Sequence, residues 1–137
     1  LAQLLNHFKV KLNLVAPSSL QLPREVRQKL TNIPVIETSD LSSVLRSTDL
    51  VYQTRIQKER FPTIEEYNSV KGTYIISPQT MKEMKQKSLL LHPLPRVDEI
   101  TTEVDSDPRA GYFRQPHFGV LMRAALLLRC FDQQNNI

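Results

Sequence analysis

The run Thr54-Arg55-Ile56-Gln57-Lys58-Glu59-Arg60 sets three cations and an amide within seven residues. The planar fork of arginine makes two parallel hydrogen bonds to a carboxylate, so Arg55 is a candidate clamp for an acidic ligand. Gln57 can add a neutral donor, and Glu59 can hold an arginine at a fixed angle. A solvated charged turn would use the same residue types. Position in the fold has to separate the two readings.

A second run reads His92-Pro93-Leu94-Pro95-Arg96-Val97-Asp98-Glu99. Pro93 and Pro95 fix φ at two positions and remove two backbone donors. What remains is a stiff corner presenting carbonyl oxygens, which can accept from an NH2 group. Asp98 and Glu99 can neutralise and orient arginines of the first run. His92 has a structural reading and a catalytic one. The three histidines and one cysteine lack metal-ligand spacing, so no metal is expected. Gly72, Gly111 and Gly119 are isolated, which argues against a phosphate-cradling glycine loop.

Apolar periodicity supplies the elements that must position these runs. Leu1, Leu4, Leu5 and Phe8 recur at helical spacing. Val10, Leu12 and Leu14 alternate with polar residues and read as a strand closing at Pro17. Pro23 opens a helix carrying Val26 and Leu30. A short strand follows at 33–36, then a helix capped by Asp40 with Leu41, Val44 and Leu45 inward. Further strands are expected at 50–52, 73–76 and 88–91, those at 50–52 and 88–91 buried. Helices start at Thr63, which has capping-box spacing to Glu66, and at Ser77-Pro78. The stretch 98–114 reads as irregular. Pro116 opens a last helix with a broad apolar arc, and 133–136 reads as a frayed polar end. Five short strands alternating with helices predict an α/β fold, a doubly wound parallel sheet with helices on both faces. Ligands of such sheets sit beyond the carboxyl ends of the strands, where both chemical runs begin.

The 137 residues fit one domain, with 40% hydrophobic and 23% charged residues. No apolar run reaches the ~20 residues of a bilayer span, and no signal peptide is visible. A net charge of +4 is spread along the chain, which favours solvated faces or small anionic ligands over nucleic acid. Cys130 lies in the apolar last helix and reads as a buried filler, in keeping with a reducing, cytoplasmic setting. A first residue of Leu rather than Met suggests a piece of a longer chain.

Together the two runs resemble aspartate carbamoyltransferases. The run 92–100 looks like that family's signature loop and 54–60 like its arginine–glutamine loop. Val104-Asp105-Ser106-Asp107-Pro108-Arg109-Ala110 and Tyr112-Phe113-Arg114-Gln115 are similar to the form found in animal multifunctional pyrimidine-synthesis proteins. The resemblance implies that residues 1–137 form the L-aspartate-binding domain of a two-domain, homotrimeric enzyme. Its other domain binds carbamoyl phosphate, and no cofactor is used. Arg55 would clamp the aspartate side-chain carboxylate with help from Gln57. The backbone carbonyls of Pro93 and Leu94 would hold the carbamoyl amino group, with Pro95 completing the turn. Glu59, Arg60, Asp98 and Glu99 would brace the arginine loop.

The family's Ser-Thr-Arg-Thr phosphate motif is not among these residues, so the chain alone is expected to be inactive. The last helix, 116–131, is expected to pack on the carbamoyl-phosphate domain. Phe118-Gly119 stands where the family usually has asparagine–glycine, which reads as packing variation. Two alternatives stay open: a carbamoyltransferase for another amine such as ornithine, and a non-catalytic assembly domain. The first would usually carry a cysteine where Pro93 stands. The second has no need of either loop.

Overall fold

The computed structural model describes residues 1–134; the last helix runs through Gln134, so 133 and 134 of the polar end expected at 133–136 are helical, and 135 and 136 lie outside the described residues. The chain order is α1 (Ala2–Leu5), β1 (Leu12–Val15), α2 (Arg24–Arg27), β2 (Val35–Thr38), α3 (Ser42–Leu45), β3 (Leu50–Tyr52), α4 (Ile64–Val70), α5 (Pro78–Glu83), β4 (Leu89–Leu91) and α6 (Gln115–Gln134). This is an α/β architecture with parallel strand pairing.

Local chemistry explains the element boundaries. Pro34 has no N–H, so β2 starts one residue later than Pro34, at Val35, while the Pro34 carbonyl accepts from Leu12. Asp40 Oδ1 accepts from the amides of Ser42 and Ser43 and starts α3. Thr63 accepts from the Glu66 amide at the head of α4. Ser77 and Thr80 close a reciprocal capping box at α5, with Pro78 in its first turn. Gly72, at φ 72°, turns the chain sharply out of α4, a left-handed position where glycine carries no Cβ penalty.

The four strands form two parallel pairs rather than one five-stranded sheet. Leu12 to Val15 pair with Val35 to Thr38, and Leu50, Val51 and Tyr52 face Leu89, Leu90 and Leu91. Side chains link the pairs: Asn13 donates to Thr48 Oγ1 at 3.4 Å, and the Tyr74 hydroxyl donates to the Ser39 carbonyl at 2.8 Å. The strand expected at 73–76 contributes a single bridge, Ile76 to Ile100. Its neighbours are occupied otherwise. The Tyr74 carbonyl accepts from Gln53 Nε2 and the Ile75 carbonyl from Thr80 Oγ1, which leaves no free ladder.

The core gathers under β4. Ile76, Leu90 and Tyr112 are fully buried, with Leu45, Met81, Ile100 and Val104 around them. The β3 strand is less buried than its sequence suggests, with Leu50 and Tyr52 exposed, because it is an edge strand with β4 on one side only. The region 98–114 contains a short 3-10 turn at Thr102–Ser106 and is held by two arginine clamps, one from Arg96 just before it and one from Arg109 within it. Arg96 pairs with both oxygens of Asp105. Arg109 pairs with Asp107 and also donates to the carbonyls of Met81 and Met84 at the end of α5.

Cys130 is exposed, not buried as expected. The helix carrying it stands off the rest of the chain, so that Phe118, Leu121, Met122, Leu128 and Phe131 are exposed as well. No helix among the described residues is long and apolar enough to cross a membrane.

The Tyr112 ring is sealed in the core, and its hydroxyl donates to Asp105 Oδ1 at 2.5 Å. Burial, then the neighbouring carboxylate, pushes its pKa up to about 12. The Arg96 hydrogen bonds hold the Asp105 carboxyl below its ordinary value of 3.8. Asp105 therefore stabilises the fold fully above that value, and the contribution disappears as pH falls through the lower folded-state pKa. Tyr112→Phe should cost roughly 1–3 kcal/mol in urea denaturation at neutral pH. The difference from the parent should shrink only at pH below the ordinary aspartate range; a constant difference down to acid would remove Asp105 from this account.

Candidate functional site

Because β3 and β4 run parallel and in register, their following loops leave the sheet at the same edge. Gln53 extends the ladder one step by donating to the Leu91 carbonyl at 2.9 Å. Beyond it lies an open cleft of about 840 Å³. Arg55, Gln57 and Arg60 line it from the first loop, and Pro93, Leu94 and Pro95 from the second. The turn after β1, at Ala16 and Pro17, closes a third side. The two runs singled out in the sequence thus share one cavity.

In the first loop, Arg55 forms a two-pronged ion pair with Glu59, Nη1 to Oε2 at 3.2 Å and Nη2 to Oε1. The spacing is i to i+4 across the 3-10 turn Lys58–Arg60. The pairing lowers the Glu59 pKa and raises that of Arg55, so both stay charged through the physiological range. Glu59 is the more exposed partner, at 56% against 32% for Arg55. The Gln57 side chain makes no hydrogen bond among the described residues, and its backbone carbonyl accepts from Arg60 at 3.0 Å.

Asp98 and Glu99 do not orient the first-loop arginines by direct pairing. Asp98 pairs with Lys71 at 3.5 Å across the mouth of the cleft. Glu99 folds back under its own loop, accepting from the amides of Val97 and Asp98 at 3.2 Å. Its Oε1 lies 2.7 Å from His92 Nε2, at an angle too oblique for an ideal hydrogen bond. A carboxylate taken so far out of water needs such donors at close range, and these are nearer than Arg55. Arg55 still feels the Glu99 charge through space.

The proline corner is held tightly. Leu94 sits at φ 51°, a left-handed conformation unusual for leucine, and the Leu94–Pro95 peptide bond is cis. The Leu94 amide donates to His92 Nδ1 at 2.8 Å, and its side chain packs on the core. The Pro93 and Leu94 carbonyls accept no hydrogen bond among the described residues. Two acceptors are therefore left for a ligand, beside a cationic wall.

Arg96 is not part of this wall. It turns toward Asp105, with its guanidinium 5.6 Å from the Tyr112 ring and 5.7 Å from Phe113, and anchors the far side of the loop. Lys71 and Tyr74 line the cleft without having been singled out from the sequence. The Lys71-Gly72 pair ending α4 was their one local signal. No three His, Cys, Asp or Glu side chains cluster as metal ligands among the described residues.

The fold and cleft define a small-ligand α/β domain with its site at the carboxyl ends of parallel strands. Comparison with known proteins makes this specific. The model of the aspartate/ornithine carbamoyltransferase Asp/Orn-binding domain matches residues 1–130, and the chain belongs to this family. It is 49% identical over 126 residues to the aspartate carbamoyltransferase catalytic subunit of Thermoplasma volcanium, covering 91% of this chain and 41% of that protein. It is 46% identical over 133 residues to the multifunctional protein pyr1-3 of Dictyostelium discoideum, covering 96% of this chain and 6% of that one. The crystal structure of Trypanosoma cruzi aspartate transcarbamoylase in complex with carbamoyl phosphate and aspartate superposes with a TM-score of 0.80 at 39% identity, over 88% of this chain and 41% of that one. The chain thus spans well under half the length of these relatives.

Glu99→Ala should release the Val97 and Asp98 amides to fast hydrogen exchange and cost about 2–3 kcal/mol of stability. Exchange rates at those two amides matching the parent's would show that Glu99 does not hold the loop.

Proposed function

We propose that this chain is the aspartate-binding domain of an aspartate carbamoyltransferase, acting with a carbamoyl-phosphate domain supplied by sequence outside these residues. The reaction moves the carbamoyl group from carbamoyl phosphate to the amine of L-aspartate, giving N-carbamoyl-L-aspartate and phosphate. One observation carries the reading: a cationic loop and two free carbonyls face the same cleft at one edge of a parallel strand pair.

Each substrate has a chemically matched wall. The Arg55 guanidinium suits the side-chain carboxylate of aspartate, with Gln57 as a neutral donor beside it. The Pro93 and Leu94 carbonyls suit the NH2 of the carbamoyl group, with Pro95 fixing the corner. Glu59 sets the angle of Arg55, Arg60 adds positive charge that favours ionised Glu59, and Asp98 and Glu99 tie the second loop down. The aspartate amine attacks the carbamoyl carbon, a tetrahedral oxyanion forms and phosphate leaves. Groups that stabilise that oxyanion belong, on this reading, to the carbamoyl-phosphate domain. Two substrates held in attack geometry can lower the barrier by ~7–11 kcal/mol, which makes rigid loops worth their conformational cost.

Crystal structures of the Trypanosoma cruzi enzyme with carbamoyl phosphate and aspartate, and a catalytic subunit at 49% identity, support the substrate choice. The likeness to multifunctional proteins supports a place in de novo pyrimidine and UMP synthesis. A cytoplasmic homotrimer completes the reading. The exposed apolar surface of α6, including Phe118, Leu121 and Leu128, supports packing of 116–131 on the carbamoyl-phosphate domain.

The test uses the full-length protein containing this domain. Arg55→Ala should raise the KM for aspartate by roughly 30-fold or more, as expected when one partner of a close charge pair is removed. The KM for carbamoyl phosphate should move little. Unchanged aspartate kinetics would remove Arg55 from the site, and preference for ornithine in a substrate panel would overturn the assignment.

A further inference from the structure

His92 is almost wholly buried, at 1% exposure, yet takes no part in the roles assigned above. Its Nδ1 accepts the Leu94 amide at 2.8 Å. An accepting Nδ1 carries no proton, so the ring proton is on Nε2, which lies 2.7 Å from Glu99 Oε1 at an angle too oblique for a hydrogen bond. The backbone of His92 is fixed too, its N–H donating to Gln115 Oε1 at 3.1 Å. Between 93 and 95 only Leu94 has an N–H at all, and His92 takes it.

That single hydrogen bond has a geometric consequence. The Leu94 N–H and the Pro93 carbonyl belong to one peptide plane, and across a trans peptide they point in opposite directions. Holding the N–H toward His92 therefore aims the Pro93 oxygen away from His92 and prevents the plane from flipping. We propose that His92 is a positioning residue for carbamoyl transfer, its Nδ1 directing the Pro93 carbonyl at the NH2 of the carbamoyl substrate. This rests on the reading that the Pro93 and Leu94 carbonyls receive that NH2.

Two substitutions in the full-length enzyme separate the ring's two contacts. H92N places a side-chain oxygen near the position of Nδ1 and gives up the reach to Glu99. H92Q reaches toward Glu99 and gives up the Nδ1 acceptor. The H92Q variant should raise the KM for carbamoyl phosphate about fivefold, the worth of one hydrogen bond, with the KM for aspartate changed by less than about twofold. H92N, which keeps an acceptor for the Leu94 amide, should raise the KM for carbamoyl phosphate less than H92Q does. Hydrogen exchange at the Leu94 amide should quicken in H92Q and not in H92N.

A purely structural histidine predicts otherwise: both variants lose thermal stability, and neither splits the two KM values. That result, or parent-like exchange at Leu94 in H92Q, overturns the proposal. If H92Q does not fold, H92N against H92A decides, since equal carbamoyl-phosphate KM values in those two also overturn it. A parent protein that transfers no carbamoyl group to aspartate refutes the functional reading instead, whatever stands at position 92.

Discussion

The pairing of β3 with β4 is only three residues long, yet the geometry of the cleft depends on it. Leu90, at its centre, is fully buried and sits among the core side chains. It is also bound on its other side, donating to the Arg109 carbonyl and accepting from the Gly111 amide. Parallel register is what matters here. An antiparallel pair would send the two loops to opposite ends, and Arg55 could never meet Leu94. A slip of one residue would turn Leu90 out of the core, so burial of one leucine enforces the level at which both loops emerge. Gly111 belongs to the same constraint: a Cβ there would come within 2.8 Å of Leu89 and 3.0 Å of Leu91, close enough to push on β4.

Charge in the cleft is arranged so that no cation waits unpaired for substrate at Arg55. Its fork is already filled by Glu59, which keeps the guanidinium oriented. An incoming carboxylate must share the guanidinium or displace Glu59. Because Glu59 is well exposed, its release into water is inexpensive, as for surface ion pairs in general. On the proposed reading of Arg55, a desolvated bidentate pair with a bound carboxylate would be stronger, so exchange of partners would favour the ligand. Lys71 and Asp98 make a second, looser pair across the mouth, again between exposed side chains.

Much of this was legible in the sequence where a short-range rule decides it. The caps at Asp40, Thr63 and Ser77, the proline entries and the positions of both loops follow from local chemistry. Family membership was legible because three motifs occur in order. Strand pairing was harder to read. The stretch 73–76 has strand-like residues, but the carbonyls of Tyr74 and Ile75 are claimed by Gln53 and Thr80, side chains whose positions are a tertiary matter. The partners of Asp98 and Glu99 escaped for a similar reason. Opposite charge at shared strand ends suggested the arginine loop, whereas burial of Glu99 favoured its own backbone amides. Cys130 was misread because apolar spacing reports a face that wants burial, not whether the described residues bury it.

Leu94 shows why a strained residue persists at this corner. A left-handed φ costs a leucine roughly 1–2 kcal/mol, and glycine would remove that cost. Glycine would also lose the side chain that packs against the core, where apolar burial contributes about 1.5–3 kcal/mol when complete. The two terms are close, so strain alone does not select glycine. Backbone entropy adds to the case for leucine, because a glycine between two prolines would leave the corner free to sample orientations of the Pro93 carbonyl. A side chain anchored below, a ring nitrogen gripping the amide and fixed φ on both sides together over-determine one conformation. Two acceptors with defined directions are what remains at the surface, and a rigid acceptor pair discriminates an NH2 donor better than a mobile one can.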